Sequence, residues 1–173
     1  VDDFGCIPHQ EFPYMAASPD GINCDIDNER YGRMLEIKNI VNRDITGIPK
    51  MEYWIQMQIQ METCNLNECD FLETVFKEYE NEEAFYNDGQ SFTRRENNKR
   101  KGIMVQFYHN EKPYYEYPPV DISKQDFEKW FDNIMEKNKH MSWIRNCYWY
   151  LEDYSCVLVP RNKKWFKTVY PEL

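Results

Sequence analysis

Residues 34–40, "MLEIKNI", set Leu35 and Ile37 on one side of an extended chain and Glu36 and Lys38 on the other. The alternation predicts a strand with one polar, functional face. After a loop, Pro49 stands where a helix can begin, and "KMEYWIQMQIQMETC" follows with no interior Pro or Gly, which predicts a helix over 49–64. A second strand is expected over 69–76, "CDFLETVF". Strand, helix and strand in this order point to an α/β (α+β) fold, a central mixed sheet flanked by helices.

The remaining segments add to the same layers. The stretch 77–100, acidic and then rich in Asn and basic residues, reads as a loop or mobile excursion. "KGIMVQFYH" and "PYYEYPP", separated by "NEK", read as a hairpin whose second arm ends near Pro118. Ser123 with Asp126 three positions on predicts a capped helix over 124–139, with Phe127, Trp130, Phe131, Ile134 and Met135 as its core stripe. A short helix and then a strand are expected in "CYWYLEDYSCVLVP", and a short helical piece in "NKKWFKTVYPEL". With 173 residues, 42% of them apolar, and no internal repeat, residues 1–173 are expected to form a single domain.

Composition excludes several classes. A formal charge of −9 argues against nucleic-acid binding over the whole surface, because phosphate contacts need local Lys and Arg. Two clusters remain as local candidates: Arg94, Arg95, Lys99, Arg100 and Lys101, and Arg161, Lys163, Lys164 and Lys167. The first is expected to be a mobile DNA-contacting loop. The six cysteines contain no CxxC pair, so neither a zinc ribbon nor an iron–sulfur motif is supported. His9, His109 and His140 are isolated and read as non-catalytic. No run of about 18 apolar residues occurs, and "VDDFGCIPHQ" lacks the features of a signal peptide, so no membrane partner and an intracellular location are expected. The start at Val1 suggests a fragment or a processed chain.

Upstream of the Glu-x-Lys strand, Ser18-Pro19-Asp20-Gly21 fits a tight turn. A turn carrying one carboxylate, followed by a strand with Glu36 and Lys38 on one face, lets two hard oxygen ligands meet one Mg²⁺ or Mn²⁺ beside an ammonium. The Ile37 carbonyl, between them, is the expected third ligand. That equipment suits phosphodiester hydrolysis, with Lys38 orienting the attacking water or stabilising the phosphate. On the helix, Tyr53, Gln56 and Gln60 share about one third of the circumference, and Gln58 points away. Gln56 is the main candidate of the three amides, and Gln60 its runner-up.

"SPDG", "LEIK" and "YWIQMQIQME" in this order resemble the PD-(D/E)xK nuclease superfamily, and within it the YqaJ-like, phage lambda exonuclease-type branch of viral recombination nucleases. The resemblance covers residues 12–74 and implies a restriction-endonuclease-like core and a large DNA virus as source. It also implies a Mg²⁺-dependent exonuclease acting 5′ to 3′ on double-stranded DNA ends in recombination or repair. Asp20, Glu36, Lys38, Tyr53 and Gln56 stand at its motif positions, and Ser18, beside Asp20, is a candidate contact for a terminal phosphate. A single-strand annealing protein and a homo-oligomer are the implied partners, and host cytoplasm, nucleus or virion the implied locations. The branch also uses an upstream helix with a metal-site glutamate, to which Asp2, Asp3 and Glu11 do not correspond. An endonuclease of the same superfamily, or an inactive DNA-binding module with this fold, remain as alternatives.

Overall fold

The structure is a computed structural model that describes Asp2 and residues 4–172. Asp3 lies outside the described residues. The chain forms two compact units, Val1–Thr74 with Asp153–Leu173, and Val75–Glu152. The elements of the first are β1 (Ile7–Pro8), β2 (Ala16–Ala17), β3 (Gly21–Ile22), β4 (Met34–Asn39) and α1 (Met51–Thr63). The next strand, β5 (Glu68–Glu78), runs on into the second unit, which adds α2 (Glu82–Asn87), β6 (Lys101–His109), β7 (Lys112–Glu116) and α3 (Lys124–Lys137). A long strand, β8 (Ser142–Pro160), leads back to the first unit and to α4 (Lys163–Val169).

In the first unit the strand order is β3-β4-β5-β8. β3 is antiparallel to β4, whereas β4 and β5 are parallel, with Glu36 opposite Phe71 and Lys38 opposite Glu73. Parallel neighbours need a crossover, and α1 provides it. The core explains why α1 packs where it does. Met34, Cys69 and Phe71 point from the strands towards Met57 and Met61 of α1, and Val159 completes this buried cluster. Each methionine buried here contributes about 1.5–3 kcal/mol through apolar area removed from water.

In the second unit the order is β5-β8-β6-β7. Ser123 caps α3, its Oγ accepting from the Asp126 amide at 3.1 Å, and Phe127 and Ile134 are buried as the helical stripe predicts. The mixed sheet with flanking helices is thus the expected fold class. Two local expectations fail. The stretch 77–100, expected to be a loop, holds α2, which Asn81 caps by accepting from the Ala84 amide at 2.9 Å and Phe85 anchors by complete burial. The short helix expected after Cys147 is absent: Ser142–Pro160 is one 19-residue strand. Its aromatic and β-branched residues favour a strand, no Gly or Pro interrupts it before Pro160, and Ser142 to Tyr150 pair with β6. Gly102 allows that pairing, because a Cβ there would lie 2.6 Å from the ring of Trp149 opposite it.

Candidate active site

The site forms wholly within the first unit, where one face of β4 meets α1. Met34, Glu36 and Lys38 occupy the face turned to the helix, and Ile37 lies on the other, partly exposed. A helix advances 100° per residue, so Gln56, Gln60, Tyr53, Met57, Met61, Trp54 and Gln58 follow one another around α1. The apolar residues occupy the middle of that arc and the glutamines its two borders. Gln56 and Gln60 reach Glu36. Gln58, roughly 160° from Gln56, instead donates to the Pro160 carbonyl at 3.0 Å and accepts from the Asn162 amide at 2.6 Å.

Glu36 is 1% exposed. A carboxylate so placed must be compensated by donors, and three nitrogen groups do this. Oε1 accepts from the Lys38 ammonium and from Gln56 Nε2, the latter at 2.7 Å, and Oε2 accepts from Gln60 Nε2 at 3.0 Å. Asp20 arrives from the turn between β2 and β3 and stays exposed, with Oδ2 accepting from the Ile37 amide at 2.6 Å. It therefore lies against the peptide that joins Glu36 to Ile37. Gln60 Nε2 also lies 3.5 Å from the Ser18 carbonyl, which ties the turn to the helix, while the Ser18 residue itself is exposed.

Tyr53 faces the cations of the site. Lys38 Nζ lies 5.3 Å from its ring centroid and the Arg43 guanidinium carbon 5.9 Å. Both are within cation–π range. Arg43 and its partner Glu73 escape the sequence-based reading. Glu73 is fully buried on β5, beside Lys38 in the parallel register, and binds Arg43 through Oε1. The hydrogen bond from Arg43 to Glu73 holds the guanidinium pKa above its ordinary value. Glu73 left one signal in the sequence: it continues the alternation of Cys69 and Phe71 as a charge at an inward position. Arg43, in a loop, left none.

The oxygen donors at this end of β4 are of the hard type that could hold a divalent cation. Asp20, Glu36 and the Ile37 carbonyl would hold it, with water completing an octahedral shell, as Mg²⁺ prefers. Among the described residues no three His, Cys, Asp or Glu side chains gather into a metal-binding group. The fit thus rests on two carboxylates and the backbone, not on an acidic cluster.

The basic segment expected to contact DNA is engaged within the second unit. Arg95 pairs with Asp88 at 2.7 Å and Glu152 at 3.2 Å, and its guanidinium carbon lies 4.3 Å from the Tyr150 centroid. Arg100 pairs with Asp121, Lys99 donates to the Glu152 carbonyl, and Arg94 donates to the Asn98 carbonyl at 3.0 Å. Lys101 is buried, donating to the carbonyls of Phe85 at 2.7 Å and Asp88 at 2.6 Å, and burial pushes its pKa down. In the other cluster, Arg161 pairs with Glu62 at 2.7 Å. All six cysteines are free thiols.

No family model matches the chain. It is similar to the mimivirus protein named Uncharacterized protein R354, from Acanthamoeba polyphaga mimivirus, with 28% identity over 211 aligned positions. The alignment takes in the whole chain and 38% of that relative, so the chain spans well under half of its length. Among the described residues no helix is long and apolar enough to cross a membrane.

Proposed function

We propose that this chain is the nuclease core of a viral, Mg²⁺- or Mn²⁺-dependent deoxyribonuclease of the PD-(D/E)xK type, acting as a 5′-to-3′ exonuclease on double-stranded DNA ends. One observation carries the reading: a buried Glu36 on β4, held by Lys38 and two glutamines of α1, with Asp20 bound to the next peptide along. Asp20 adds a second, exposed carboxylate at the peptide that follows Glu36, as a two-carboxylate metal site requires. Similarity to a mimivirus protein supports the viral source.

In this reading Asp20, Glu36 and the Ile37 carbonyl would hold the cation, which would supply an activated water and neutralise phosphate charge. Gln56 and Gln60 fix the Glu36 carboxylate so that its oxygens do not rotate. Lys38, resting over Tyr53, exchanges its contact with Glu36 for a phosphate oxygen or the attacking water. Hydrolysis adds water across one P–O bond; hydroxide joins phosphorus and the proton passes to the departing oxygen. Ser18, on the exposed turn beside Asp20, would contact a terminal phosphate.

Digestion of 3′-labelled linear duplex in Mg²⁺ tests this, with phosphorylated and unphosphorylated 5′ ends and a closed circle compared. Stepwise loss of the linear substrate, faster with the 5′ phosphate, with the circle intact, is expected. Cutting of the circle would make the enzyme an endonuclease, and no metal-dependent cutting of any substrate would reject the reading.

A further inference from the structure

We propose that Arg43 is a second phosphate-binding cation of this site and that Glu73 is its positioning residue. The inference rests on the nuclease reading and adds two residues to it. Arg43 and Lys38 lie against the same Tyr53 ring, at 5.9 and 5.3 Å from its centroid. Their carboxylate partners, Glu73 and Glu36, point from β5 and β4 to the same side of the sheet. The site is therefore a pair of cation–carboxylate units around one aromatic ring. One unit includes the Glu-x-Lys motif, and the other has been assigned no role.

The form of the Arg43 pair argues for a ligand. Arg–carboxylate pairs are frequently bidentate, with two parallel hydrogen bonds. Here Glu73 takes the guanidinium through Oε1 alone, and its Oε2, also buried, has no hydrogen-bond partner. Arg43 also donates from Nη1 to the Asp44 carbonyl at 3.1 Å and shares a side-chain hydrogen bond with Tyr53. Arg carries five N–H donors in a fixed fork, so the remaining ones suit the two oxygens of a phosphate. The Arg43 side chain is 22% exposed whereas that of Glu73 is 1% exposed, so the pair is anchored inside and open on the cation's side.

Glu73 also sets how this is tested. Removing Arg43 alone would leave a buried, uncompensated carboxylate and could unfold the unit. The neutral double variant Arg43→Gln/Glu73→Gln avoids this, and Arg43→Lys keeps the charge without the fork. Affinity for a 5′-phosphorylated 20-base-pair duplex is measured in Ca²⁺ over a range of salt, and kcat and KM in Mg²⁺. The double variant should keep its unfolding midpoint near that of the wild type, bind at least 10-fold more weakly, and lose about one unit of the salt slope. Arg43→Lys should keep the slope and lose affinity. Glu73→Gln, which leaves the charge but loosens its hold, should raise KM several-fold with the slope unchanged.

A wild-type chain that cleaves DNA, with affinity and slope unchanged in the double variant, would overturn the assignment and leave the nuclease reading intact. A wild type that binds duplex with an Arg43-dependent slope but does not cleave would support the assignment and reject the nuclease reading. A wild type that neither binds nor cleaves would overturn both.

Discussion

The Asp20 carboxylate accepts a hydrogen bond from the Ile37 amide at 2.6 Å, which ties a surface turn to the centre of β4. The contact separates two roles of one side chain. An Asn side chain can still accept from that amide, but it carries no charge for a cation. Asp20→Asn should therefore keep the unfolding midpoint within about 3 °C, about 1 kcal/mol for a chain of this size, and lose metal-dependent cleavage. Thermal unfolding and the end-labelled digest check the two halves separately. A variant that unfolds but, where folded, still cleaves would make Asp20 a structural residue.

The glutamines of α1 offer a contrast within a single helix. Gln58 joins Pro160 and Asn162 and touches nothing in the site, so Gln58→Ala should cost about 1–3 kcal/mol of stability by leaving buried groups unpaired and leave turnover per folded molecule unchanged. Gln56→Ala removes one of three donors to Glu36 and should lower turnover at least 10-fold. Denaturant unfolding with active-site titration distinguishes the two, and equal loss of turnover in both variants would contradict the assignment of faces.

That contrast also marks what could be read from sequence. The alternation at Glu36 and Lys38 and the helical angles of Gln56, Gln58 and Gln60 are local periodicities, and the structure keeps them. What was not legible depended on partners distant in the chain. Glu73 comes beside Lys38 through the β4–β5 register across the α1 crossover. The ion pairs of the basic segment 94–101 were not legible either, because the partners of Arg95 and Arg100, Asp88, Asp121 and Glu152, lie up to 57 positions away. The helix expected after Cys147 failed because pairing with β6 outweighed a weak local pattern.

Asp88 gives the second unit a specific acid sensitivity. Burial raises its pKa, but hydrogen bonds from the Glu96 amide at 3.0 Å, Arg95 at 2.7 Å and the Tyr79 hydroxyl at 2.7 Å outweigh it and lower the value from 3.8 to about 2. A carboxylate whose folded pKa is depressed adds stability that is fully present above its unfolded value. That stability is lost as pH falls through the folded one. The contribution should be about 2 kcal/mol near neutrality, declining between about pH 4 and pH 2. Denaturant unfolding against pH should show this decline in the wild type and a flatter profile in Asp88→Asn. Parallel profiles would remove Asp88 from the account.

The most direct test of the central claim, that Glu36 and Lys38 form a hydrolytic centre, is the single-turnover rate on 5′-phosphorylated duplex in Mg²⁺ for the wild type, Lys38→Ala and Lys38→Arg. Losing a positioned proton-transfer group typically costs two to four powers of ten, and Lys38→Ala should fall by about that much. Lys38→Arg should recover little, because a planar guanidinium does not reproduce the ammonium's place beside Glu36 Oε1. Mn²⁺ affinity, measured in parallel, should stay the same or rise in Lys38→Ala. Rates within about threefold of the wild type in both variants would contradict the claim and leave Lys38 as the charge partner of a buried glutamate.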